Sequence, residues 1–146
     1  MDAGFHIYQE YAAAWLLPLE KRVLLRVLKL FCDVANGTGL GEPIAGIELT
    51  LTSDARIAGI NRDCMGCTGP TNILSFPGGS DLPGSLVLSL DTLAREAFLY
   101  GQRQERHLLH LIAHGTAHLA GLSHGTSHET IHKACLAAGD FFLKSI

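Results

Sequence analysis

The sequence predicts an α+β fold: a small mixed sheet of about four strands packed against helices, with a buried histidine-bearing helix at its centre. Three observations predict it. Apolar and polar residues alternate over short segments, apolar residues recur at helical spacing over longer ones, and no Asp, Glu, Lys or Arg occurs from His107 through His128. The chain has 146 residues, 47% of them hydrophobic, which suits one compact domain over 1–146 with a core that needs no disulfides.

The elements follow in order. Residues 5–8 read as a short first strand. A helix starts near Pro18, where proline suits the first turn. It carries Leu24, Leu25, Leu28 and Phe31 on its apolar side and stops near Asn36 and Gly37. The segment 44–51 alternates apolar and polar residues, as a strand with one face inward does. Ser53 or Asp54 then caps a short helix ending near Asn61. A loop over 64–70 leads to a strand over 72–76. Another strand covers 85–89, after which Asp91 caps a helix through Leu93, Ala97 and Phe98 that ends at Gly101. A long helix over 103–120 is stopped by Gly121, and a last helix over 127–143 carries Ile131, Cys135, Ala138 and Phe142 at helical spacing.

Composition narrows the function. The 11 Lys and Arg against 14 Asp and Glu give a net charge of -3, unlike a strongly electrostatic nucleic-acid binder, although a local basic surface remains compatible. Arg22, Arg26 and Lys29 share one helix face and read as an ordinary solvated face; Arg56, Arg62, Arg103 and Arg106 are further cationic candidates. No run of about 18 uncharged apolar residues implies a membrane span. The first residues lack the basic region of an export signal, and the apolar run 12–19, with Trp15, ends at Pro18, Leu19 and Glu20. The expectation is a cytoplasmic protein whose four cysteines are reduced thiols. Cys64 and Cys67 form a single C-x-x-C, read as two loop thiols rather than a redox pair.

The unusual feature is histidine. All eight except His6 lie between His107 and His132. His107, His110, His114 and His118 stack along one stripe of the long helix, which has no charged face and belongs in the interior. Its polar atoms then need partners. His114 and His118, at i and i+4, can aim two ring nitrogens at one point, and Gly121 allows a turn that brings His124 to the same point. Three protein ligands with an open position is the pattern of a catalytic zinc. His110 stands behind these ligands, as does His107. His128 and His132 form a rival pair beside Glu129 and Lys133, and the expectation for them is solvated side chains. The spacing H-x-x-x-H-x-x-G-x-x-H is that of metzincin peptidases, but Gly115 stands where those enzymes carry their catalytic Glu.

Taken together, His114-Gly115-Thr116-Ala117-His118-Leu119-Ala120-Gly121-Leu122-Ser123-His124 resembles the H-G-x-L-H-L-x-G-Y-D-H signature of the YbeY family, metal-dependent endoribonucleases that act as bacterial rRNA maturation factors. Asn61 with 70–77 (PTNILSFP) is similar to that family's L-N-x-x-Y-R-G-x-x-x-P-T-[DN]-V-L-S-F-P, and 84–89 (GSLVLS) sits where the family has G-D-I-V-I-S. The match in order and spacing covers about residues 44–124. Three positions depart from the pattern: Cys64 and Met65 replace its Tyr-Arg, Ser123 replaces the Asp of G-Y-D-H, and Ser85 replaces the Asp of G-D-I. An arginine fork binds phosphate oxygens in pairs; Met65 cannot, which bears on catalysis rather than on metal binding.

The resemblance implies a zinc-dependent endoribonuclease specific for single strands, working in 16S rRNA 3′-end maturation and ribosome quality control beside the small ribosomal subunit. It implies one Zn²⁺ held by His114, His118 and His124, which act through a water on the ion, with Asn72, Ser75 and Arg62 as substrate contacts and His110 and Ser123 behind the ligands. A zinc ion can polarise a phosphodiester oxygen and lower the pKa of its water to about 7; no carboxylate presents itself as general base. The alternatives are a ribosome-assembly RNA-binding factor with a mainly structural metal, and a zinc peptidase.

Overall fold

The computed structural model describes residues 4–10 and 16–146. Residues 1–3 and 11–15, including Trp15, lie outside the described residues. The elements run β1 (Phe5–Gln9), α1 (Lys21–Gly37), β2 (Ile47–Thr52), α2 (Asp54–Met65), β3 (Ile73–Phe76), β4 (Gly84–Ser89), α3 (Leu90–Leu99), α4 (Gln104–Leu119) and α5 (Thr126–Ser145). The sheet order is β1-β2-β4-β3, with β1, β2 and β4 parallel and β3 antiparallel to β4. The fold is therefore α+β with a four-stranded mixed sheet.

Alternation along the strands sorts the two faces of the sheet. Ile47, Leu49 and Leu51 of β2 and Leu86 and Leu88 of β4 join Leu24, Leu28 and Phe31 of α1 and Leu108, Ile112 and Ala113 of α4 in one continuous core. Val87 points the other way, where it meets Leu74 and Ile57 of α2 in a smaller cluster. The α4 helix is buried along most of its length from His107 onward, as the absence of charged residues there requires.

Several boundaries differ from expectation for local reasons. The α1 helix begins at Lys21, after Pro18, and its first turn closes with Leu24 N–H donating to the Glu20 carbonyl at 2.9 Å. Leu16, Leu17 and Leu19 pack on the core instead of entering the helix. Ile44 precedes β2 because the Asn36 amide takes both its backbone groups: Ile44 N–H donates to Asn36 Oδ1 at 2.8 Å, and Asn36 Nδ2 donates to the Ile44 carbonyl at 3.0 Å. The α2 helix runs past Asn61 to Met65 and ends where Gly66 adopts φ 68. The cap of α3 is Ser89, which accepts from Thr92 N–H, and not Asp91. Asp91 instead accepts from Asp54 N–H at 3.0 Å, at the start of α2. Asp54 in turn accepts from Ser89 Oγ and Thr92 Oγ1, each at 2.6 Å, and from Arg95 Nη2 at 3.0 Å. Burial alone would raise the Asp54 pKa, but these donors outweigh it and hold the carboxyl below its ordinary value.

The α4 helix lies on β3 and β4 through Gly115, where a Cβ would come within 2.8 Å of Leu86 Cδ2 and 3.1 Å of Ile73 Cδ1. A Gly115→Leu substitution is expected to lower unfolding free energy by about 3 kcal/mol through overpacking, read as a reduced urea midpoint with little change in slope.

Candidate metal centre

Three elements bring the imidazoles together. The α4 helix supplies His114 and His118 one turn apart, with Nε2 atoms 3.2 Å from each other. The chain then bends at Gly121, whose φ of 80 suits glycine, so that the Leu122 carbonyl turns back and accepts from His118 Nδ1 at 2.9 Å. A carbonyl only accepts, so Nδ1 carries the proton and the His118 Nε2 lone pair faces the site. His124 follows on the exposed side, its ring centroid 5.2 Å from His114 and 5.0 Å from His118.

The fourth member is His128, in the first turn of α5. It is only 4% exposed, its ring centroid lies 4.3 Å from His118 and 4.7 Å from His114, and one ring nitrogen of each of His114, His118, His124 and His128 lies within 4.8 Å of the others. This corrects the expectation of a solvated His128. His128 precedes the fully buried Ile131 and Cys135 by three and seven residues and so shares their inward stripe; that phase was the signal available in the sequence. His132 is also partly buried, with its Nε2 3.2 Å from His110 Nδ1. His110 stacks on His107 at 5.9 Å and stands outside the group of four.

Burial first, and the neighbouring imidazoles second, make protonation costly here. They push His114 and His132 down to about 4 and lower His128 and His110 as well. The four-imidazole donor set suits zinc, copper or nickel. The fit is supported by His128 Nε2, which is buried and has no hydrogen-bond partner among the described residues. On a tetrahedral ion with metal–nitrogen bonds of about 2.0–2.1 Å, neighbouring nitrogens lie about 3.3 Å apart, close to the 3.2 Å between His114 and His118.

A cleft of about 550 Å³ opens beside His114 and His118, walled by β3 and by Met65. Asn72, Ser75 and Ser123 line it. The Asn72 amide is already engaged: Nδ2 donates to Glu96 at 3.2 Å and Oδ1 accepts from Ile73 N–H at 2.7 Å. Arg62 is not part of the lining; it is exposed and pairs with Asp63 at 3.1 Å. Sequence reasoning missed Glu96, which also accepts from His107 Nε2 at 2.9 Å and so ties the start of β3 to α3 and α4. No local pattern pairs Glu96 with residues 11 and 24 positions away.

Known proteins resemble this chain in sequence and fold. A family model described as Endoribonuclease YbeY matches residues 19–134. The chain belongs to the YbeY family. Among YbeY relatives, a protein named Endoribonuclease YbeY from Nitratidesulfovibrio vulgaris is 44% identical, with 86% of this chain and 88% of that one covered. Another of that name from Lawsonia intracellularis is 39% identical over 76% of this chain and 79% of its own. The solution structure of TM1509 from Thermotoga maritima matches with a TM-score of 0.65 at 19% identity, covering 96% of this chain and 91% of that one, and shares the fold.

The depressed histidines set a pH dependence for the metal-free protein. Below about pH 6.5 the unfolded chain takes up protons that folded His114 and His132, at about 4, refuse. The histidine contribution to stability is therefore expected to fall as pH drops from about 6.5 to about 4, below which protonation of the Asp54 carboxyl takes over the loss. Urea midpoints of chelator-treated protein measure this, and His132→Gln is expected to flatten part of the slope.

Proposed function

We propose that this chain is a zinc-dependent endoribonuclease of single-stranded RNA, acting in the cytoplasm on the 3′ end of 16S rRNA and in ribosome quality control, with the small ribosomal subunit as partner and residues 1–146 as one domain. The observation that carries the reading is the meeting of His114, His118 and His124 nitrogens beside an open cleft, in a chain that belongs to the YbeY family.

When bound, Zn²⁺ supplies a positive charge that polarises a phosphodiester oxygen and lowers the pKa of a water to about 7. The residues do the rest. His118 is held in one tautomer by the Leu122 carbonyl, and the low pKa of His114 keeps its ring neutral and able to coordinate at neutral pH. The edge strand β3 forms the wall along which a strand of RNA lies, with Ser75, Asn72 and Ser123 among the residues lining the cleft. The Asn72–Glu96–His107 connection fixes the distance between that wall and the histidine helix.

Position 115 weighs against peptidase chemistry. A side chain there would run into Leu86, Ile73 and Ser75, so the place of a metzincin general base is filled by the sheet. A second reading, an RNA-binding assembly factor with a mainly structural metal, is favoured by Met65, an apolar cleft residue where the family pattern carries an arginine.

Three outcomes test the proposal. Zinc at about 100 times its dissociation constant is expected to add about 2.7 kcal/mol of stability, roughly 5–10 °C in Tm, and His114→Ala to abolish the shift. Zinc-loaded protein is expected to cleave single-stranded RNA and His118→Ala to lose that cleavage; a wild type that binds RNA without cutting it favours the assembly factor. Met65→Arg is expected to raise kcat/KM about tenfold, by adding a charge-assisted phosphate contact of about 1.5 kcal/mol.

A further inference from the structure

Three histidines account for the family signature, yet a fourth imidazole occupies the centre. His128 lies outside the H-x-x-x-H-x-x-G-x-x-H string, and its neighbours Glu129 and Lys133 pair with each other at 2.8 Å on the exposed side of α5. The ring itself turns inward and is nearly sealed from solvent. A buried histidine ordinarily has both nitrogens accounted for by protein groups or ordered water. Here Nε2 has no hydrogen-bond partner among the described residues, and an unpaired polar atom in such a place is destabilising.

We infer that His128 is a fourth protein ligand, closing the coordination sphere of the metal held by His114, His118 and His124. The inference rests on the metal-binding reading above and deepens it. Coordination to an ion satisfies the orphaned nitrogen, and it explains why four rings from α4, the bend after it and the start of α5 converge within 4.8 Å with no carboxylate among them. The two sides of the cluster differ in what borders them. The cleft along β3 is lined by His114 and His118, while a separate cavity of about 390 Å³ is lined by His124, His128 and His132, with His114 common to both. His128 therefore reaches the metal from the α5 side and leaves the β3 side clear. Zinc accepts a fifth ligand in some catalytic sites, so four imidazoles at rest are compatible with chemistry in the cleft. They also predict tighter retention of the ion than three would give.

X-ray absorption on zinc-loaded wild-type protein tests this directly, because outer-shell scattering counts imidazole rings. Four rings are expected, falling to three in His128→Ala, with zinc affinity measured by chelator competition weakened at least tenfold. His132→Ala, which alters the same cavity, is expected to retain four rings and wild-type affinity. Three rings in the wild type, or unchanged affinity in His128→Ala, overturns the ligand assignment while leaving a three-histidine site standing. Failure of the wild type to take up zinc at all overturns both. If His128→Ala does not fold, the ring count in the wild type decides alone.

Discussion

The close approach of α4 to the sheet decides where its imidazoles can go. Gly115 lets the helix rest against Leu86 and Ile73, and Gly84 of β4 is equally tight against Leu119, whose Cδ2 would lie 2.7 Å from an added Cβ. With that side committed to the strands, the histidine stripe is directed away from β4, toward α5 and the edge of β3. Moving the helix outward by the width of a methyl group would open a void beneath it, and well-packed cores do not tolerate such gaps. The centre is placed by backbone contact first and by side-chain chemistry second.

Polar atoms in such a setting cannot rely on water, so they draw on one another and on the main chain. Toward one end of the stripe, His107 finds Glu96, and through it Asn72. In the middle, His110 meets His132 from the neighbouring helix. Toward the other end, His118 finds the Leu122 carbonyl, leaving ring nitrogens that face each other rather than a protein donor. The partners change along the helix from carboxylate to imidazole to carbonyl.

Much of this was legible in the sequence because periodicity reports burial directly. The alternation in 44–51 and the short apolar run in 85–89 placed β2 and β4 within a few residues, and the uncharged run from His107 to His128 marked the buried helix. Local capping competition was less legible. Asp91 and Ser89 are both good caps, and the choice between them depended on Asp54, which is remote in sequence. His128 was obscured by its own neighbours: the Glu129–Lys133 pair indicates a solvated surface, and one helical turn can carry a charged face and a buried ring together. Glu96 could be found only once α3 and α4 were packed against each other.

The wall opposite the histidines has a consequence for how a polyanion would be held. Among the described residues neither lysine nor arginine lines the β3 cleft, and Met65 is part of its wall. A nucleic-acid strand resting there has few phosphates neutralised by side chains, and each neutralised phosphate contributes about 0.7 to the logarithmic dependence of single-strand affinity on salt. Association at this surface would thus vary little with ionic strength and depend on fit along the strand edge.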